Sequence, residues 1–137
     1  MVTIIDAKEC RMGRLATSVA KRLLNEEEIA VVNAEKAVVT GKEKQIKEEY
    51  ERKRDVGSSR KGPFYPRMPH MILKRAIRGM LPYQKPSGRK AYKRLRVYIG
   101  VPKEFEGKKF EYVEEAKRPA SYATRLDELS NFMGAKI

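Results

Sequence analysis

Thirteen Lys and Arg lie between Val56 and Lys103, a stretch with no Asp or Glu at all. They are Arg60, Lys61, Arg67, Lys74, Arg75, Arg78, Lys85, Arg89, Lys90, Lys93, Arg94, Arg96 and Lys103. The rest of the chain balances 18 basic residues against 18 acidic ones, so this block supplies the whole net charge of +13. A surface built only for solubility mixes signs. A one-sign block repels itself and needs a polyanion to offset that cost. Nucleic acid is the polyanion with matching charge density. The candidate phosphate contacts are Arg60, Lys61, Arg67, Lys74, Arg75, Arg78, Lys85, Arg89, Lys90, Lys93 and Arg94, with Arg11 and Arg14 ahead of the block.

Bond-making chemistry is poorly provided for. A hydrolase or transferase needs a nucleophile, a base and an orienting group. His70 is the one histidine, and it follows Pro69 at a helix start. It reads as a surface or RNA-contacting residue before a general base. No serine sits in a G-x-S-x-G elbow, and Cys10 has no partner cysteine. One His and one Cys cannot close a zinc shell. Gly41–Lys42 resembles the end of a P-loop, but the first Gly is missing and Glu43 stands where Ser or Thr belongs. Gly13 alone makes no dinucleotide fingerprint. The expectation is a protein with no catalytic residues, no metal, no cofactor and no small-molecule substrate.

These cations need elements to position them. Val2–Asp6 is a short, β-branched apolar run and reads as a buried strand. Arg14–Leu24 places Leu15, Val19 and Leu23 at i, i+4, i+8, flanked by Ala16, Ala20 and Leu24, which predicts a helix with a wide apolar stripe. Ile29–Asn33 is a second buried strand. Strand, helix and strand within about thirty residues form a βαβ unit with parallel strands and a right-handed crossover. The turn Arg11–Met12–Gly13–Arg14 follows a strand and opens a helix. Two readings stay open for it: a phosphate site at a helix N-terminus, or a plain turn with solvated arginines. Val38–Val39 reads as a short strand.

Lys42–Asp55 predicts a surface helix with Ile46 and Tyr50 as its apolar pair, supported by Glu48–Arg52 and Glu49–Lys53. Gly57–Pro69 is irregular and interleaves Phe64 and Tyr65 with Arg60, Lys61 and Arg67. Single-stranded RNA is gripped by such stacking and phosphate contacts. Either ring could instead anchor the loop to the core, and for each ring alone that reading leads. Pro69–Gly79 predicts a helix with Pro at its start and Gly near its end. Its stripe is Leu73, Ala76, Ile77 and Met80, with Lys74, Arg75 and Arg78 turned away. A loop over Leu81–Gly88 leads to a short helix, Arg89–Arg94. In the strand Leu95–Ile99, Leu95, Val97 and Ile99 point inward while Arg96 and Tyr98 point outward. Thr124–Gly134 has helical spacing at Leu126, Leu129 and Phe132–Met133.

At 137 residues the chain is expected to be one α/β domain, residues 1–137, carrying the basic block 56–103. A lone cysteine and the lack of a long apolar run or signal peptide imply a soluble cytoplasmic protein with no membrane partner.

Ile77–Gly100 resembles the signature of the ribosomal protein L13 (uL13) family of the large subunit. The similarity rests on Arg78–Gly79–Met80–Leu81–Pro82, on Gly88, and on Leu95, Val97, Tyr98 and Gly100. Ile5–Asp6–Ala7 with Gly13–Arg14–Leu15–Ala16 is similar to the family's first strand and helix. Val32–Asn33–Ala34–Glu35–Lys36 with Thr40–Gly41 is similar to its second strand and turn. The resemblance covers nearly the whole chain. The short link from Leu24 to Ile29, Gly62–Pro63–Phe64 and the helix after Tyr122 resemble the archaeal and eukaryotic branch. The short chain points to the archaeal form.

The resemblance implies a three-layer α/β/α fold around a small, mostly parallel sheet, with peripheral helices and a C-terminal helix. It also implies a structural, non-catalytic role: binding large-subunit rRNA and supporting assembly beside neighbouring large-subunit ribosomal proteins. Two other classes fit the residues less well. An enzyme acting on nucleic acid needs acidic metal ligands near the basic face, and the block has none. A DNA-reading helix needs side chains for base edges, whereas Lys74, Arg75 and Arg78 suit phosphates.

Overall fold

The computed structural model describes residues 2–40, 42–55, 68–113 and 123–133. Arg60, Lys61, Phe64, Tyr65 and Arg67 lie outside the described residues, as do the side chain of Lys53 and Gly134.

The N-terminal βαβ unit forms as expected. Strand β1 (Val2–Asp6) pairs parallel with β2 (Glu28–Val32), in the register Ile4↔Ala30 and Asp6↔Val32. Helix α1 (Met12–Leu24) crosses between them and buries Leu15, Ala16, Val19, Ala20 and Leu23. It starts two residues ahead of the predicted Arg14, and Leu24 at its last position is exposed. Helix α2 (Glu43–Asp55) buries Ile46 and Tyr50, the predicted pair.

Helix α3 (Pro69–Gly79) begins and ends where Pro and Gly place it. It buries Pro69, Ile72, Leu73 and Ile77. Met80, assigned above to the core stripe, is 43% exposed. It lies past the last helical residue, so the helical period no longer governs where it points. Helix α4 (Pro86–Lys93) starts three residues before the predicted Arg89, with Pro86 in its first turn. That leaves only residues 80–85 between the two helices.

Strand β4 (Leu95–Val97) pairs parallel with β2, giving the order β1-β2-β4. The strand stops at Val97, so Ile99, expected to point inward, is exposed. The chain turns instead at Gly100, whose φ of +67° favours glycine. Its N–H donates to Glu35 Oε2 at 2.7 Å. Tyr98, expected to point outward, is half-buried against Phe105, with ring centroids 5.6 Å apart.

A second sheet was not legible. Strand β3 (Val38–Thr40) pairs antiparallel with β5 (Ala123–Arg125), which runs directly into helix α5 (Leu126–Phe132). The predicted C-terminal helix is therefore shorter than expected, and Phe132 is exposed.

One face of the parallel sheet, through Ile5, Ile29, Val31, Leu95 and Val97, packs against Leu15, Val19, Leu23, Ile72, Leu73, Ile77, Leu126 and Leu129. Full burial of each such side chain stabilises by roughly 1.5–3 kcal/mol. The other face, through Ile4, Ala30 and Val32, is covered by Phe105 of a 3-10 turn, with Tyr98, Val101 and Phe110 around it. The mixed α/β class with a mostly parallel sheet is as the sequence implies, and the layer over this second face is thin.

Gly88 explains part of the signature. A Cβ there would lie 1.9 Å from the Pro82 carbonyl oxygen and 2.3 Å from its carbon. Both are backbone atoms and cannot step aside cheaply. Gly88→Ala should therefore lower stability by about 1–3 kcal/mol, in the manner of an overpacked core. Gly79→Ala, whose Cβ meets nothing within 4 Å, should be neutral or stabilising. Urea unfolding of the two variants checks the pair; equal losses would contradict the close approach at Gly88.

Candidate nucleic-acid interface

Burial of Ile72, Leu73 and Ile77 forces Lys74, Arg75 and Arg78 to the opposite side of α3, where all three are half-buried. Their neighbours there are rings. The Arg78 guanidinium sits 4.1 Å from the ring centroid of Tyr83, and the Lys74 ammonium 5.1 Å from that of Tyr92. Tyr83 and Tyr92 meet edge to face, with centroids 5.5 Å apart. The order is cation, ring, ring, cation. Burial pushes the Tyr92 phenol above its usual pKa, against an opposing pull from Arg78. The phenol thus stays neutral through the physiological range.

A groove of about 490 Å³ opens beside this stack, lined by Arg75, Arg78, Gly79, Tyr83, Gln84 and Lys85 among others. A second groove of about 600 Å³ is lined by Arg11, Gly13, Arg14, Thr17, Thr40 and Met80. Adjacent residues, Gly79 and Met80, line one groove each. Thr17 Oγ1, whose proton goes to the Gly13 carbonyl at 2.9 Å, also lies 3.4 Å from Met80 Sδ. The structure therefore brings Arg11 and Arg14 to the same side as the C-terminal end of α3. Arg14 is exposed and Arg11 half-buried, and no acidic residue occupies the first turn of α1. Both readings of that turn fit this placement.

Two predicted site residues also have internal roles. Arg94 Nη2 donates to the Leu23 carbonyl at 2.7 Å and so satisfies the C-terminal end of α1. Arg89 donates from Nε to the Tyr83 carbonyl at 3.1 Å and from Nη2 to the Gln84 carbonyl at 3.2 Å, holding the 80–85 loop. Lys85, Lys90 and Lys93 are exposed. Arg60, Lys61 and Arg67 lie outside the described residues. The sequence leaves Phe64 and Tyr65 open between RNA stacking and anchoring the loop, the anchor reading leading for each ring alone. It does not single out Tyr83, Tyr92 or Gln84, which lie beside the cations here. The available signal was two tyrosines inside the acid-free block, at a spacing that no regular helix or strand brings together.

Cys10 is buried, its thiol 3.6 Å from the Asp6 carbonyl oxygen. Among the described residues, no group of three or more His, Cys, Asp or Glu is placed to hold a metal ion.

A family model described as ribosomal protein L13 matches residues 1–104. The chain belongs to the ribosomal protein L13 family. The chain is 50% identical to the large ribosomal subunit protein uL13 of Archaeoglobus fulgidus, covering 96% of this chain and 87% of that protein. It is 49% identical to the uL13 of Methanopyrus kandleri, covering 98% and 88%. It is 44% identical to that of Methanococcoides burtonii, covering 99% and 100%. The L13 match spans β1 through the 3-10 turn beneath the sheet. Strand β5 and helix α5 lie beyond it, yet the relatives' similarity extends over nearly the whole chain.

His70, in the first turn of α3, is a built-in reporter of this surface. Burial first, and then the neighbouring Lys74, hold its imidazole below the ordinary pKa of 6.5. A depressed folded-state pKa means that the unfolded chain binds the proton more readily. The contribution to stability is fully present above the unfolded value and is lost as pH falls through the folded one. The single histidine gives one imidazole NMR titration, which should have its midpoint below 6.5. His70→Gln should flatten the fall in stability across that window. A midpoint at or above 6.5 would contradict the burial.

Proposed function

We propose that this chain is a structural constituent of the large ribosomal subunit. It binds large-subunit rRNA mainly through phosphate contacts and supports subunit assembly beside neighbouring large-subunit proteins. It takes no catalytic step of its own. The observation that carries this is the half-buried row of Lys74, Arg75 and Arg78, facing rings and a groove and, among the described residues, no carboxylate. Membership of the L13 family, with relatives named as large-subunit proteins, supports ribosomal RNA over other polyanions.

The mechanism is positional. Helix α3 is fixed by its buried face, so its cations are presented in a set geometry. Phosphate contacts of this kind set register and orientation on a nucleic acid. Lys85, Lys90 and Lys93 extend the field across α4, and Arg11 and Arg14 extend it past Met80. Arg60, Lys61 and Arg67 belong to the proposed set on sequence grounds. The same reading takes the chain as one domain, supported by a core that draws on both ends, from Ile5 to Met133. It places the protein in the ribosome. Among the described residues, no helix is long and apolar enough to cross a membrane.

Co-sedimentation with the large subunit tests the reading. If about six to ten cations meet phosphates, affinity for isolated large-subunit RNA should fall roughly 10³–10⁵-fold between about 50 and 200 mM salt. Arg78→Glu should weaken binding while changing the melting temperature little, because Leu73 and Ile77 still pack. Leu73→Ala should do the reverse, costing roughly 2–5 kcal/mol of stability. A flat salt dependence, or equal melting losses in the two variants, would contradict the proposal.

A further inference from the structure

We infer that the groove between α3 and the 80–85 loop is a subsite for one unpaired nucleotide, its base stacked on the Arg78–Tyr83 platform. This rests on the RNA-binding reading above and specifies what that surface accepts. A site for phosphates alone needs only cations. This one also has a ring, an amide and a bare stretch of backbone.

Tyr83 is 37% exposed, and Arg78 lies over its ring. Tyr92 packs against the hydrophobic core, while Tyr83, edge-on to Tyr92, keeps the more exposed ring. A guanidinium held on a ring is an ordered, flat surface on which a base can stack. Bases inside a duplex are already stacked and cannot use it. RNA is read by proteins chiefly where bases are splayed out onto aromatic or guanidinium planes.

The polar groups complete the site. Gln84 offers both an amide donor and an acceptor to a base edge. Arg75 and Lys85 line the same groove and supply charge for the flanking phosphates. At Gly79 a Cβ would meet nothing within 4 Å, so the backbone wall there is open to a ribose. The groove volume of about 490 Å³ falls in the range of sites for one small ligand, roughly 300–1,000 Å³.

The loop is held in this shape before any ligand arrives. Arg89 grips the Tyr83 and Gln84 carbonyls, and Gly88 lets Pro82 close onto α4. The side chains of Tyr83 and Gln84 play no part in those contacts. They can be changed without removing what folds the loop.

The test uses the full chain and two synthetic RNA hairpins with identical stems, one fully paired and one with a single bulged 2-aminopurine. The bulged hairpin should bind about 5- to 150-fold more tightly, the range expected for stacking one base on an aromatic ring, and its fluorescence should be quenched. Tyr83→Leu should abolish both the preference and the quenching, and Tyr83→Phe should keep them. A thermal melt confirms that each variant is folded. Equal affinity for the two hairpins, or quenching that survives Tyr83→Leu, overturns the subsite and leaves the RNA-binding reading standing. Failure of both hairpins to bind at low salt overturns the RNA-binding reading and the subsite with it. Quenching of free 2-aminopurine ribonucleotide over the same concentration range would show a nucleotide pocket that needs no RNA, and would also overturn the inference.

Discussion

The carbonyl of Pro82 lies where residue 88 would carry its Cβ. Much of the basic surface follows from that contact. It draws the 80–85 loop down onto α4, so that the Lys85 N–H reaches the Pro82 carbonyl at 2.9 Å and Gly88 in turn reaches Lys85 at 3.1 Å. The folded loop turns Tyr83 toward Tyr92 and sets its carbonyl within reach of Arg89. Arg78 and Lys74, one helix away, then find ring faces rather than water. The missing methyl group at Gly88 thus lets the loop bring Tyr83 between Arg78 and Tyr92.

Arginine is used here in three ways, and the difference sorts structure from candidate function. Arg22 is held by carboxylates, Glu27 at 2.7 Å and Glu111 at 2.8 Å, and the Glu27 contact is the main cause of its raised pKa. Such partly exposed pairs add little stability. Arg94 and Arg89 serve backbone carbonyls and finish a helix and a loop. Arg78 lies on a ring, which orders the guanidinium without cancelling its charge. The first two uses satisfy a partner inside the protein. Only the first use pairs the charge with an opposite one; carbonyls and a ring leave it uncancelled.

What the sequence made legible is what periodicity and helix-end residues control. The βαβ unit follows from Leu15, Val19 and Leu23 and from two β-branched runs. Helix α3 is bounded by Pro69 and Gly79. The errors have equally local causes. Pro86 looks like loop punctuation in the sequence but opens α4. Met80 and Ile99 fit periods that stop before them, at Gly79 and at Val97. The β3–β5 pairing joins two three-residue strands more than eighty positions apart, and strands so short carry no readable alternation. The Tyr83–Tyr92 contact depends on the shape of one turn, so the two rings are visible in the acid-free block but their meeting is not. The charge of the candidate site was legible and its geometry was not.

The tail decides how stiff that geometry is. Leu126 N–H donates to the Ala37 carbonyl at 2.9 Å, and Leu126, Leu129 and Met133 are buried in the same core as Ile72 and Ile77. Helix α3 is therefore packed against both α1 and α5, at the N-terminal and C-terminal ends of the chain. A polyanion laid across it would have no helix to order. The remaining cost is side-chain freedom, up to roughly 2 kcal/mol for each Lys or Arg that is fixed. Lys74 and Arg78 have already given up part of that freedom to Tyr92 and Tyr83. Lys85, Lys90 and Lys93 are exposed and have given up far less. Equal charges on this surface should therefore not contribute equally: the ring-held pair would fix position, and the exposed lysines would mainly set the long-range attraction.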